Sequence, residues 1–349
     1  MAKQDIRALS REELREWFTE HGHPAFRANQ VYDWLWNKSH IKFDEMSNLS
    51  KDLREELDQH FAINHIEVDQ MQRSTDGTIK NAVRLHDGKI VESVLIPTEK
   101  RITACVSSQV GCSLDCDFCA TASLKRMRNL NPDEIYDQVV AIKQEAEKYF
   151  DRPLTNIVMM GMGEPLLNYK NVIEALDKVT SPEGLGMAAR RITLSTVGIP
   201  KLIKKLADDG VRFNLAVSLH SAIQSTRERI MPLASKNHLD ELLESLQYWY
   251  KHTGRKVTFE FVVWRGVNDT PEEIQALVCF VKKVPSKVNI IQYNPIENGD
   301  YTQASQEKVD AYIQALDEVG VIAKVRQSRG QDIDAACGQL ANKTELEAE

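Results

Sequence analysis

No stretch of this chain is long and apolar enough to span a bilayer, and the opening residues Met1-Ala-Lys-Gln-Asp-Ile-Arg carry charge where an export leader needs an apolar core. The expectation is a cytoplasmic protein without a membrane partner. Internal repeats and low-complexity tracts are missing as well. So is a basic excess: 44 Lys and Arg stand against 51 Asp and Glu, for a formal net charge of −7. On total charge alone this argues against an RNA partner, because nucleic-acid binders usually carry a basic face that neutralises phosphates. Distribution matters more than the total, however. Local basic clusters occur at Lys125-Arg126-Met-Arg128, at Arg190-Arg191, at Arg227 with Arg229 and at Arg326 with Arg329. Each reads either as a solvated face or as a phosphate contact. Cysteine is scarce, and four of the six cysteines fall around one motif, which suits metal and redox work in a reducing compartment better than a disulfide framework.

What is present separates by pattern. Up to Phe61 the chain reads as helical: Ser10-Arg-Glu-Glu13 is a capping box, Phe26, Val31, Trp34 and Leu35 recur at helical spacing, and a further helix is expected from Leu49 to Phe61. From Ile66 to Ser108 the pattern changes to short alternating runs, with Asp76-Gly77 and Asp87-Gly88 expected to form the primed turns of tight hairpins. After Pro132, strand-like runs at Ile157–Met160, Ile192–Thr196, Phe213–Leu219, Val257–Val263, Val288–Tyr293 and Ile322–Val325 alternate with helical segments. That order implies an α/β fold with a parallel sheet and crossover helices. The division expected is a helical accessory domain over 1–61, a β-meander over 62–100, the main domain over 101–340 and a disordered tail over 341–349.

The run Cys112-Ser-Leu-Asp-Cys116-Asp-Phe-Cys119 is the most informative feature. Its C-x3-C-x2-C spacing lets three thiolates converge on one metal centre and leaves a fourth position open. An iron–sulfur cluster and zinc are the main candidates for all-sulfur ligation. Cys105 could supply a fourth ligand, so a four-cysteine zinc site inside an RNA-binding or ribosome-assembly factor stays open on spacing alone. Gly161-Met-Gly163 follows a strand but lacks the third glycine of a dinucleotide fingerprint, and by itself is a tight turn. His220 alone reads as a polar residue at a strand end, and Cys279, between Leu277 and Phe280, as a packed core thiol. Cys337, among Gly and Asp residues after the last strand, reads as a loop thiol.

The triad with Phe118 before its last cysteine resembles the radical S-adenosylmethionine (SAM) motif. Cys105-Val-Ser-Ser-Gln-Val-Gly-Cys112, Met160-Gly-Met-Gly-Glu-Pro-Leu-Leu-Asn168, Ser195-Thr-Val-Gly198, Ser218-Leu-His220 and Arg329-Gly-Gln-Asp-Ile-Asp-Ala-Ala-Cys-Gly338 together resemble the RlmN family of methyltransferases acting on adenine of ribosomal and transfer RNA. The resemblance implies a partial (β/α)6 radical SAM barrel, behind the accessory domain and meander, with its site at the strand C-termini. It implies one 4Fe–4S cluster on Cys112, Cys116 and Cys119, and SAM held by Gly163, Glu164, Ser195, Ser218, Leu219, His220 and Asn294. Two SAM molecules serve each turnover, one as methyl donor to the Cys337 sulfur and one as radical source.

In the implied reaction the methyl on Cys337 loses a hydrogen atom and adds to carbon 2 of adenine, an electron-poor carbon that polar methylation does not reach. Cys105 matches the resolving thiol that frees the product by forming a disulfide with Cys337. Glu92 matches the family's proton acceptor, although a Cys105 thiolate could take the same proton, and a Glu in an alternating strand usually faces solvent. The implied partners are 23S rRNA, transfer RNA and a one-electron donor such as flavodoxin, and the implied state is a monomer. The target base must leave its stack. Trp34 and Trp36 could stack on bases, but a Trp pair on an amphipathic helix is more often core. The nearest enzyme alternative is the sister family that methylates carbon 8 of the same adenine. Gly163-Glu-Pro-Leu-Leu and Asp332-Ile-Asp-Ala-Ala favour carbon 2. Ala234-Ser-Lys-Asn and Asn289-Ile-Ile-Gln-Tyr depart from the usual family pattern away from any thiol.

Overall fold

The computed structural model describes residues 3–297 and 299–342. At the N-terminus β1 (Gln4–Asp5) pairs in parallel with β2 (Phe61–Ala62), and helices α1 (Arg11–Glu20), α2 (Arg27–Tyr32) and α3 (Lys51–His60) lie between them. The capping box forms in full: Ser10 Oγ accepts the Glu13 N–H at 3.2 Å and the Glu13 carboxylate accepts the Ser10 N–H at 2.7 Å. Helix α2 runs on into a π-helical turn, Asp33–Asn37, that turns Trp34, Leu35 and Trp36 into the core. Trp34 Nε1 donates to Asn48 at 2.6 Å, so neither indole is free to stack on a base. Phe26 departs from the expected stripe: it precedes the helix and is 54% exposed.

The meander consists of β3 (Glu67–Arg73), β4 (Ile79–Arg84), β5 (Ile90–Pro97) and β6 (Ile102–Cys105), all antiparallel neighbours. Its two hairpins do not use primed turns. In the first, Gly77 N–H donates to Ser74 O at 3.0 Å and Ser74 N–H to Thr78 O at 2.8 Å, and only the glycine has positive φ, at 87°. Leu85 and Gly88 repeat the pattern. These are three-residue loops in which glycine makes the left-handed bulge, the alternative that an Asp-Gly pair serves equally well.

Beyond β6 come a two-stranded excursion, β7 (Gln109–Val110) with β8 (Arg128–Asn129), and helix α4 (Pro132–Phe150). The chain then continues as β9 (Asn156–Met159), α5 (Tyr169–Thr180), β10 (Ile192–Thr196), α6 (Pro200–Asp208), β11 (Asn214–Ser218), α7 (Gln224–Ile230), α8 (Leu239–Thr253), β12 (Val257–Val262), α9 (Pro271–Val281), β13 (Ser286–Ile291), α10 (Gln306–Asp317) and β14 (Ala323–Arg326). One ten-stranded sheet runs β14-β13-β12-β11-β10-β9-β6-β5-β4-β3, parallel from β6 to β14. Every crossover advances in the same direction, and crossovers of one hand put all the helices on one face, so the sheet curls into a partial barrel.

Alternation along the strands then sorts residues between two environments. Ile157, Met159, Ile192, Leu194, Phe259 and Phe261 bury themselves against helices. Their neighbours Asn156, Val158, Thr193, Thr258 and Glu260 line the barrel lumen. The docking of the N-terminal domain is ionic as well as apolar: buried Arg7 donates to both oxygens of Asp137 at 2.7 and 2.8 Å and to Asp133 at 3.3 Å, both on α4.

Three further expectations change. Cys279 is exposed, because Leu277, Val278, Phe280 and Val281 form the buried stripe of α9 and position 279 falls opposite it. Ala341 and Asn342 are buried and hydrogen-bonded, so the described chain stays ordered past residue 340, while 343–349 lie outside the described residues. Of the basic residues, Arg128 is spent on Asp87 and Glu134, and Arg227 is 1% exposed and donates to the Val197 carbonyl. Among the described residues no helix is long and apolar enough to cross a membrane.

Candidate active site

The loop after β6 carries the cysteine triad. Its fold is set by residues that tolerate unusual backbone: Gly111 has φ 72°, and a Cβ there would meet the Lys125 carbonyl oxygen at 2.4 Å. That close approach lets Cys112 N–H donate to Leu124 O at 2.9 Å, while Asp115, with φ 50°, turns the chain so that Cys119 N–H reaches Cys116 O at 3.1 Å. Cys112, Cys116 and Cys119 consequently line one cavity of about 170 Å³, together with Gly163, Glu164, Ser195, Ser218, His220 and Asn294. Burial pushes the Cys112 thiol up to about 11 and raises those of Cys116 and Cys119.

The strand ends supply the opposite wall. Gly161 and Gly163 follow β9 where the backbone is crowded: a Cβ on Gly161 would meet Ser107 Oγ at 2.6 Å, and one on Gly163 would meet the Gln109 side chain at 2.5 Å. The two carboxylate oxygens of Glu164 accept the N–H groups of Leu166 and Val197, both at 2.9 Å, and burial raises its pKa to about 7. His220 has φ 58°, and its Nδ1 accepts the Val262 N–H at 3.2 Å. Burial, helped by Arg227, lowers its pKa to about 3, so the ring is neutral, with Phe118 4.7 Å and Trp264 5.5 Å away between centroids. Leu219 is the member of the expected set whose side chain does not line this cavity.

A second cavity of about 780 Å³ follows the lumen and shares Cys119, Met160, Gly161, Glu260, Arg326 and Cys337 with the first. Cys105, at the end of β6, faces it with Cys337. Burial, then the neighbouring Cys337, pushes the Cys105 thiol up to about 12, and Arg326 partly offsets the rise. The charges that act on Cys105 are those of Cys337 and Arg326. Asn294 Nδ2 donates to the Cys337 carbonyl at 3.1 Å, and its oxygen accepts Gln331 Nε2 at 2.8 Å. It therefore grips the C-terminal segment as well as bordering the cavity. Glu92 is 2% exposed and lines neither cavity, against the solvent-facing position that strand alternation suggested.

The donor set fits a cluster and SAM. The three thiols, that of Cys116 buried and the other two partly so, open on a cavity whose glycines admit no side chain. Glu260 Oε2 in its wall accepts no hydrogen bond, its ion-pair partner Arg326 standing 3.9 Å away, which leaves it an acceptor for an ammonium or hydroxyl. Sequence reasoning missed Glu260 and saw Arg326 only as part of a basic cluster. A signal existed for the first, since Glu260 is the one charge inside the apolar run Val257-Thr-Phe-Glu-Phe-Val262.

Residues 4–63 match the family described as the ribosomal RNA large subunit methyltransferase N-terminal domain, and residues 106–278 match the radical SAM superfamily. A Flavobacterium psychrophilum protein named "Probable dual-specificity RNA methyltransferase RlmN" is 64% identical over 341 residues, 98% of each chain. A protein of the same name from Salinibacter ruber is 44% identical over 349 residues, 98% of this chain and 95% of that one. The crystal structure of a radical SAM methyltransferase from Sphaerobacter thermophilus superposes with a TM-score of 0.90 at 38% identity, covering 97% of this chain and 99% of that one.

Proposed function

Because this chain belongs to the RlmN family, we propose that it is a radical SAM methyltransferase that places a methyl group on carbon 2 of adenine in 23S rRNA and in transfer RNA. The observation that carries the reading is the placement of Cys105 and Cys337 on one cavity that adjoins the triad's. A cluster-binding protein without this reaction has no use for two such thiols beside an arginine.

Cys112, Cys116 and Cys119 would hold a 4Fe–4S cluster, and Gly163, Glu164, Ser195, Ser218 and His220 would border SAM. Bound together, these groups supply one-electron cleavage of SAM and hence hydrogen-atom abstraction from a methyl group. The chain's own residues do the rest. Cys337 sulfur gives up its thiol proton and takes a methyl group. Once that methyl has lost a hydrogen atom, its carbon bonds to carbon 2 of the base. The adduct then sheds one electron, which the bound cluster would accept, and the carbon-2 proton, which goes to a base of the site. The Cys105 sulfur then bonds to the Cys337 sulfur while the Cys337–carbon bond breaks. The electron pair stays with carbon, which takes up a proton to become the product methyl, and an external thiol returns two electrons to the disulfide. The neutral aromatic wall around His220 keeps water from the radical carbon. The same reading takes two SAM molecules per turnover, a flavodoxin-like electron donor, and a monomer working in the cytoplasm.

Mass spectrometry of nucleosides from 23S rRNA and transfer RNA treated with reduced, reconstituted protein tests this. The expected product is 2-methyladenosine. An 8-methyladenosine product would assign the chain to the sister chemistry, and zinc in place of iron with no methylated adenosine would leave an RNA-binding factor.

A further inference from the structure

A closed eight-stranded barrel fills its interior with layers of branched apolar side chains and leaves no pore. The lumen of this partial barrel instead holds a cavity of about 780 Å³. Its polar lining follows the register of the sheet: Thr103 lies opposite Asn156, Thr258 opposite Lys287 and Asn289 opposite Lys324, and all six face the cavity. A hollow of this kind leaves unmade the packing contacts that a filled interior would contribute. Its size and polar lining are those of a binding site.

The charge of the lining sets the charge of the ligand. Five cations, Arg101, Lys287, Lys324, Arg326 and Arg329, face one carboxylate, Glu260, in a chain whose net charge is −7. Two of the five are matched: Arg326 stands 3.9 Å from Glu260, and Arg329 3.9 Å from Asp76. Among the described residues Arg101, Lys287 and Lys324 form no ion pair, and all three are exposed. They share one end of the barrel, since Arg101 directly precedes β6, Lys287 is the second residue of β13, Lys324 the second of β14, and the strands from β6 to β14 are parallel. Cys105 closes β6 and Cys337 follows β14, so both thiols lie toward the other end of the same cavity. Ile322, just before the edge strand β14, and Val325 within it also line the cavity and are 59% and 46% exposed. Unpaired cations around an entrance attract phosphates, apolar surface beside them suits the face of a base, and only an unstacked base can turn inward.

We propose that the mouth of the lumen at the strand starts is the RNA port. Arg101, Lys287 and Lys324 hold phosphates that flank the target adenosine, Ile322 and Val325 carry a neighbouring base, and the target adenine passes along the lumen to Cys337 and Cys105. The port rests on the methyltransferase reading and deepens it by naming where the RNA strand is held. These cations come from three distant parts of the chain, so the basic patch has no counterpart among the basic runs of the sequence.

Equilibrium binding of a 23S rRNA fragment and of a transfer RNA transcript, each over a series of salt concentrations, tests the port in the full chain with cluster loaded. Lys287→Gln and Lys324→Gln should each weaken binding and lower the slope of log affinity against log salt by about 1, and the double variant by about 2. The comparison is Lys125→Gln with Arg126→Gln, an exposed pair on the loop after the triad and outside the lumen, which should keep the wild-type slope. Thermal midpoints and iron content verify that every variant is folded and loaded; a lysine that served only the fold would lower the midpoint and leave the slope. A slope lowered for either RNA sustains the proposal and identifies which RNA uses the port. A double variant with the wild-type slope for both RNAs, or a slope lost in the Lys125 and Arg126 pair instead, overturns it. Wild type that binds RNA through these lysines yet yields no methyladenosine would count against the methyltransferase reading alone, and methylation with an unchanged slope against the port alone.

Discussion

Two thiols and one glycine carry the sharpest consequences at the scale of single residues. Cys337→Ala should abolish methylation while leaving iron content unchanged. Cys105→Ala should leave the RNA joined to Cys337, visible as a slow band on a denaturing gel, and normal turnover by that variant would contradict the resolving role. Gly163, with φ 93° and the Gln109 side chain 2.5 Å from a would-be Cβ, has no room for a methyl. Gly163→Ala should cost about 1–3 kcal/mol in thermal unfolding and weaken SAM binding measured at equilibrium. The three cysteines could be singled out because spacing is a local property, and the structure places them on one cavity. Asn294 was only half legible: its partners, Gln331 and Cys337, come from another part of the chain. Cys279 was misread because two apolar flanks were counted without their angle around the helix.

At the scale of elements, the strands were legible to within a residue or two, since apolar runs with turn signals between them report burial directly. Turn type was not, because Asp-Gly suits both hairpin loops and the hydrogen bonds decide. The anchoring of the N-terminal domain on α4 was equally hidden, as Arg7 and Asp133 are far apart in sequence. Burial raises the Asp133 pKa from 3.8 to about 7, with Arg7 opposing the shift. The folded protein therefore keeps a proton that the unfolded chain releases near pH 4. Stability from that proton is complete below pH 4 and is lost as pH rises through about 7, by on the order of 4 kcal/mol. Unfolding in urea at pH 4 and pH 8 should show most of this loss in wild type and a smaller one in Asp133→Asn; equal losses would remove Asp133 as the cause.

At the scale of the whole molecule, one curled sheet gathers what the chain scatters: the triad loop after β6, the glycines after β9, His220 after β11, Asn294 after β13 and Cys337 after β14 all meet at the strand C-termini. The order of strands made this legible. The closure of the site by the meander was not, because clasps such as Asp332 with Ser74 and Glu92 with Ala341 join segments about 250 residues apart. The central claim, that three thiols hold a cluster with one iron open to SAM, is tested most directly by electron paramagnetic resonance on anaerobically purified, dithionite-reduced protein with and without SAM. The account predicts a reduced 4Fe–4S signal that changes when SAM is added. A protein with no such signal, or one whose cluster signal is indifferent to SAM, would contradict it.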